Sequence, residues 1–193
     1  MESIIRSVKK KDLVSLEELY SQSFENHENI IQNANLRAYV FYNKDLVKVA
    51  IHKDELIGFI ITYISTPQKI KIYSLYVSLS HRNRGIGKKL LTALEKEISQ
   101  RFSSLKYLSV RIPEESKSSS QFFQLLDFKT VRKINNYYKN DLKFPFSVNR
   151  SITVRKAQKK DLDGILEIDS QCFSEFWQKN RNEFAGKIGR AHV

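Results

Sequence analysis

Residues 74–91 read SLYVSLSHRNRGIGKKLL, and three local signals meet in them. An alternating apolar segment closes at Leu79, a basic turn carrying Arg82 and Arg84 follows, and a helix opens at Gly85–Gly87. Glycines at a helix start let a ligand approach the backbone, and the first-turn N–H groups have no intrahelical acceptor. The helix dipole adds positive potential at the same end. With Arg82, Arg84, Lys88 and Lys89 crowded there, the stretch forms a site for a diphosphate or a similar anion. G-x-G-x-x-G is absent, and so is a Gly-Lys-Ser/Thr ending, so neither the dinucleotide fingerprint nor the phosphate loop of nucleotide hydrolases applies.

Outward from this stretch, the chain alternates between strand and helix periodicities. Ile4 to Val8 reads as a strand, and Asp12 as an N-cap before Leu13, Leu16, Leu19, Tyr20 and Phe24 at helical spacing. A weaker helical pattern runs over Ile30 to Phe41. Val47 to His52 and Glu55 to Ser65 read as strands joined by a Lys53-Asp54 turn, and Lys69 to Leu79 as a third long strand. Ile70 and Ile72 set one alternation, whereas Leu75, Val77 and Leu79 set the opposite one. One extra residue causes such a switch, so a β-bulge is expected near Tyr73–Ser74. A helix is expected over Gly85 to Phe102, with Ile86, Leu90, Leu91, Leu94 and Ile98 on one face. A strand at Leu105 to Ile112 follows, then a helix at Ser116 to Leu126 burying Phe122, Leu125 and Leu126, and a strand from Phe128 through Tyr138.

The chain has 193 residues, with Lys+Arg 33 against Asp+Glu 21, a formal charge of +12. Such composition fits a globular protein with its own core. The longest mainly apolar run, Leu56 to Ile64, suits a strand and is far short of the roughly 20 residues of a membrane helix. The start carries no signal-peptide pattern, and the single cysteine, Cys172, reads as a small buried helix residue, so a cytoplasmic location is expected. His27, His52, His81 and His192 show no metal-ligand spacing, and no metal is expected; His81 reads as a surface residue of the basic turn. The charge also fits a nucleic-acid-binding module, but aromatics do not interleave with the lysines as stacking platforms would, which disfavours that partner.

Residues 3–24 and 152–173 form an internal repeat. At an offset of 149, Arg6, Lys10, Lys11, Asp12, Leu13, Glu18, Ser21, Gln22 and Phe24 meet identical partners, nine identities in 22 ungapped positions. A strand–cap–helix unit thus begins again near Ser151. The expected organisation is a first domain over 1–145, a linker over 146–150, the start of a second copy over 151–187, and a tail over 188–193. That tail resembles the translated read-through of a sequencing adapter and reads as non-native.

The spacing Arg82-x-x-Gly85-x-Gly87, after a strand ending in Leu75-Tyr76-Val77, resembles the acyl-CoA signature of the GNAT N-acetyltransferase superfamily, and the element order over about residues 3–142 is similar too. The resemblance implies an α/β fold of the α+β mixed-sheet kind, with a central, mostly antiparallel sheet flanked by helices and a β-bulge in strand 4. It implies acetyl-CoA as cosubstrate, its pantetheine arm on the backbone of Leu75, Tyr76 and Val77. The diphosphate would rest on the amides of Arg82, Asn83, Arg84, Gly85, Ile86, Gly87 and Lys88. Val77 N–H would face the thioester oxygen, and Ser116, heading the fourth helix where the family has asparagine, could bond the cofactor. Within the superfamily the chain looks most like the ribosomal-protein and protein N-terminal acetyltransferases. Their substrate-loop tyrosines match Tyr137 and Tyr138 in RKINNYYKND, and CFSEFW at 172–177 resembles their first helix and the aromatic that follows it.

The acid–base half of the pattern departs from the family. The acidic residue often found before the Leu-Tyr-Val segment is replaced by Tyr73 and Ser74, a fifth-strand carboxylate by Ser109, and the thiolate-protonating tyrosine by Phe123. The glycine expected after the fourth helix is Asp127. Glu114 and Glu115 lie in a nearby loop that reads as a solvated turn, and Tyr138 is the candidate acid; the catalytic residues are otherwise unassigned. The expected function is acetyl transfer to a primary amine (a protein N-terminus, a lysine or a small amine). The alternatives are a non-catalytic CoA-binding half of a tandem protein and, behind it, the basic nucleic-acid module. Composition gives no sign of a membrane partner or of an oligomeric state.

Overall fold

Five strands form one sheet in the order β1-β2-β3-β4-β5. In this computed structural model, which describes residues 3–23, 33–66, 68–134, 151, 153, 155–174, 176–179 and 181–185, β1 (Ile4–Ser7), β2 (Val47–His52), β3 (Glu55–Thr66) and β4 (Lys69–Val77) are successive antiparallel neighbours. β5 (Tyr107–Val110) joins β4 in parallel. The β2–β3 turn falls on Lys53 and Asp54 as the sequence predicts, with φ of 49° and 64°, positive at both positions as a tight type I′ hairpin requires. A parallel pair needs a crossover, and α3 (Ile86–Arg101) supplies it. β4 and β5 are shorter than expected. Leu79–His81 turns into a 3-10 segment, and β5 keeps only the residues that β4 pairs.

Alternation sorts the side chains of β2 and β3 between two faces. Val47, Val49, Phe59 and Ile61 bury against Leu16, Leu19 and Tyr20 of α1 (Leu13–Gln22) and Leu36 and Val40 of α2 (Asn33–Tyr42). On the other face Gly58 lies under Leu90, and Lys48 reaches Glu97, so α3 covers that side. The predicted stripe Ile86, Leu90, Leu91, Leu94 and Ile98 is buried throughout. Each such side chain contributes about 1.5–3 kcal/mol. The partly buried Lys48–Glu97 pair, at 2.8 Å, gains little net of the desolvation of Lys48, so the apolar stripe is what docks the helix.

Asp12 does not cap α1 with its side chain. Its carboxylate accepts the Lys9 amide at 2.7 Å and two Arg6 guanidinium bonds at 2.6 and 2.9 Å, while Lys10–Asp12 forms one 3-10 turn ahead of Leu13. β1 delivers Arg6 to this spot, and a bidentate, charge-assisted pair outcompetes a helix amide.

By contact density the chain falls into two compact units, Met1–Ser119 and Ser120–Val193. In the second, the end of α4 (Lys117–Gln124) corrects the expected burial: Phe123 is buried, Phe122 and Leu126 are half-buried, and Leu125 is exposed. The cause is a Schellman cap. The Phe128 amide donates to Phe123 O and the Asp127 amide to Gln124 O, both at 3.1 Å, and the Phe123 and Phe128 rings close the motif edge to face at 5.1 Å. Phe128 is thereby committed to the cap. The expected strand does not form over 128–134, and its remaining residues, like the proposed linker, lie outside the described residues.

The same unit repeats the opening turn. Arg155 donates to Asp161 at 2.6 and 2.7 Å, the Gln158 amide donates to Asp161 at 2.7 Å, and α5 (Leu162–Cys172) follows. Backbone angles at Asp161, φ −84° and ψ −8°, match those at Asp12, −84° and −10°. Before the turn, the described residues 153 and 155–158 are irregular where the first copy has β1. Cys172 is exposed, not buried, at the last residue of α5, where the helix ends. α6 (Arg181–Ala185) closes the described chain.

Candidate active site

The parity switch in β4 is a bulge. Ile61 pairs with Ser74 and Thr62 with Ile72, leaving Tyr73 as the extra residue. Pairing with β5 runs only from Lys69↔Tyr107 to Ile72↔Val110. Beyond the bulge, β4 therefore has, among the described residues, a neighbour on one side alone, because the local bend and added twist carry it away from β5. The Ser78 amide donates to Ile57 O at 2.9 Å. By the alternation of an antiparallel ladder, Ser74 and Tyr76 then turn their peptide groups to β3, and Leu75 and Val77 turn theirs to the open side. Arg82 Nε donates to Val77 O at 3.0 Å, in keeping with that parity.

Gly58 sets how closely β3 and β4 approach here. A Cβ on it would stand 2.9 Å from Tyr76 O. Over the α1 face of the bulge, Phe59 stacks on Tyr76 with ring centroids 6.0 Å apart, and Tyr20 tilts against Phe59 at 6.0 Å. The Tyr73 hydroxyl sits against that of Tyr20, whose phenol is held far above its ordinary pKa by burial first and this neighbour second. Tyr39 donates its hydroxyl to Thr62 O, tying α2 to β3 beside the bulge.

Past Val77 the chain takes the 3-10 turn Leu79–His81 and two left-handed residues, Asn83 at φ 58° and Gly85 at φ 74°, before α3. Gly85 is the N-cap, and no atom lies within 4 Å of where its Cβ would be, so backbone conformation alone selects glycine there. The first intrahelical bond is Lys89 N–H to Gly85 O at 3.0 Å. The amides of Ile86, Gly87 and Lys88 precede it and point out of the helix end. Arg82, Arg84, Lys88 and Lys89 are exposed around them. The open edge at Leu75, Tyr76 and Val77 thus leads within one unit to a basic helix N-terminus.

Several predicted positions lie elsewhere. Ser116 immediately precedes α4, half-buried, with its amide on Pro113 O at 3.0 Å. Ser109 pairs with Lys71 on the closed part of β5. Glu114 and Glu115 form an exposed turn, and Phe123 belongs to the cap described above. Tyr137 and Tyr138 lie outside the described residues. Sequence reading missed the surroundings of His81, which is half-buried. Its Nδ1 is 2.8 Å from Ser78 Oγ and 2.9 Å from Ser80 Oγ, and its ring meets that of His52 edge-on at 5.9 Å. The serines are visible in sequence; His52, on another strand, is not. Among the described residues no three metal-ligating side chains gather, and no helix is long and apolar enough to cross a membrane.

Comparison with solved structures finds this architecture repeatedly. AAC(6')-Iy in complex with the bisubstrate analog CoA-S-monomethyl-acetylneamine aligns at a TM-score of 0.61 and 18% identity, covering 73% of this chain and 100% of that one. Ard1 from Thermoplasma volcanium aligns at 0.63 and 16%, covering 72% and 91%. Naa50 from Arabidopsis thaliana, in complex with the bisubstrate analogue CoA-Ac-MVNAL, aligns at 0.60 and 20%, covering 74% and 93%. At these identities the likeness is one of fold. No curated protein matches the chain significantly. The family model described as Acetyltransferase (GNAT) family matches residues 13–128, from the start of α1 past the cap of α4. That span contains the bulge, the open edge and the basic helix start, and the chain is accordingly an acyltransferase belonging to the GNAT family.

Proposed function

We propose that the protein transfers an acetyl group from acetyl-CoA to a primary amine, with a peptide N-terminus, a lysine and a small amine as the candidate acceptors. The observation that carries this reading is the exposed run of β4 peptide groups leading into the α3 N-terminus. Amides of a pantetheine arm can extend such an edge as a further strand would, through Leu75 and Val77. The outward amides between Arg82 and Lys88, with the basic side chains around them, suit a diphosphate. Ser116, immediately before α4, is proposed as a further cofactor contact. The fold relatives are in keeping with this, since one carries a CoA conjugate of an aminoglycoside derivative and another a CoA-linked peptide. A third, the diaminobutyrate acetyltransferase EctA, is in complex with its amine substrate and coenzyme A.

In the reaction the neutral amine attacks the thioester carbon and a C–N bond forms as the C–S bond breaks; the nitrogen loses its extra proton to water and the departing thiolate takes one up, so the products are the amide and the CoA thiol. Val77 N–H faces the side on which the carbonyl oxygen gains charge. Positioning along the edge and one such amide supply much of the acceleration, because aminolysis of a thioester is intrinsically favourable. Tyr137 and Tyr138 are proposed to hold a peptide acceptor, with Tyr138 as the acid for the thiolate. The likeness of their segment to protein N-terminal acetyltransferases puts a peptide first among the acceptors.

The test is thiol release with acetyl-CoA and a panel of peptides, lysine and small amines. Turnover with any of them supports the reading. Tight CoA binding without turnover would instead support a CoA-binding half, the reading favoured by Tyr73, Ser74 and Phe123 where the family pattern carries proton-transfer groups. Arg82→Ala and Gly87→Glu are expected to lose CoA binding, and unchanged affinity in both would sink the site. We also propose that residues from 151 onward open a second copy of the same fold, supported by the repeated Arg–Asp clasp and its matching backbone angles.

A further inference from the structure

We infer that Arg82 couples the two halves of the cofactor site, holding the β4 edge shut until a diphosphate draws it away; this rests on the proposed acetyl-CoA reading. Three observations meet at this side chain. Its Nε donates to Val77 O at 3.0 Å, and that carbonyl is on the open edge by the parity of the ladder. Its guanidinium lies over the Tyr76 ring, 5.4 Å from the centroid, which fixes it along the strand end. Its backbone follows the 3-10 turn Leu79–His81 and precedes the left-handed Asn83 and Gly85, so it is three residues from the N-cap of α3.

The side chain is exposed, so these contacts are made at the surface against water and can be exchanged at modest cost. Val77 O is the acceptor that an incoming amide N–H would use to extend the sheet. While Arg82 donates to it, the approach along that edge is obstructed by a planar, charged group. A diphosphate on the Ile86–Lys88 amides offers the guanidinium two anionic oxygens instead of one neutral carbonyl, and a bidentate, charge-assisted pair is the stronger bond. Binding the phosphates therefore frees the carbonyl for the arm. The two fragments of the cofactor should bind with positive coupling, and by reciprocity each strengthens the other by the same factor.

The experiment uses the full chain and two fragments, 3′-phospho-ADP and pantetheine, titrated singly and together by calorimetry. In the unaltered protein, saturating 3′-phospho-ADP is expected to tighten pantetheine about three- to tenfold, the effect of one exposed hydrogen bond. In Arg82→Ala, pantetheine alone is expected to bind more tightly than to the unaltered protein, with the coupling reduced to unity and thermal unfolding unchanged. Arg82→Gln, which keeps a donor but no charge, should bind pantetheine weakly and also lose the coupling. Independent binding of the fragments to the unaltered protein overturns the inference, and so does weaker pantetheine binding in Arg82→Ala. Failure of the unaltered protein to bind CoA itself would be the separate failure of the acetyl-CoA reading.

Discussion

Two glycines near the bulge are fixed for opposite reasons, and single substitutions tell them apart. At Gly58 the obstacle is space, because a Cβ would press on Tyr76 O at 2.9 Å and a backbone atom cannot swing aside. At Gly85 the space is open and the obstacle is φ, 74°. Gly85→Ala is expected to cost about 1–2 kcal/mol through conformation, while Gly58→Ala should cost about 1–3 kcal/mol and also displace the Leu75–Val77 edge. Denaturant melts measure the first effect; loss of CoA affinity beyond the stability loss marks the second. Asp127 is the converse case. It holds φ 64° at the position after α4 where glycine is favoured. Asp127→Gly is expected to stabilise the protein by up to about 1 kcal/mol, seen as a higher denaturation midpoint.

At the scale of elements, acidic clasps give the first unit a definite pH response. The Arg6 guanidinium, foremost, and the Lys9 amide hold the Asp12 carboxyl below its ordinary pKa, and Lys48 does the same for Glu97. A depressed carboxyl pKa contributes stability that is complete above its unfolded value, about 4, and is lost as pH falls through the folded value. Urea melts should therefore be flat from pH 7 to 5 and decline below about 4. Asp12→Asn is expected to lower stability at pH 7 by about 2 kcal/mol and to flatten the acid limb. An unaltered acid limb would remove Asp12 from that response. The bulge belongs to this scale as well. Its location was legible because Ile70 and Ile72 contradict Leu75 and Val77 in parity, whereas the Schellman cap was overlooked because aspartate stands where glycine would signal it.

Across the whole molecule, one turn-and-helix unit occurs twice with different burial. Leu16 is inaccessible and Leu19 is 7% exposed, while Ile165 is half-buried and Ile168, the counterpart of Leu19, is 62% exposed. The clasps are alike in geometry, and the first joins a helix whose apolar side packs on the sheet. In the full chain, Asp12→Asn should shift the main thermal transition, and Asp161→Asn should leave it in place; equal shifts would mean that both copies carry the fold. The formal charge of +12 is distributed unevenly too, and part of it converges on Arg82, Arg84, Lys88 and Lys89 at a single helix start.

Sequence alone determined what depends on neighbours along the chain: the α3 stripe, the Lys53-Asp54 turn, the register flip in β4, the Arg82-x-x-Gly85-x-Gly87 spacing and the repeat of residues 3–24 at 152–173. Each is written in periodicity, in repetition or in residues a few positions apart. The tertiary structure decided where β5 leaves β4, and hence which peptide groups face the gap. It also decided the meeting of Tyr20 with Tyr73, the closing of His52 on His81 and the turning of Arg82 onto Val77 O. The strand pairing and the ring contacts join segments far apart in the chain, which no local pattern encodes, and the Arg82 contact, though only five residues long, depends on which way the unpaired edge of β4 faces.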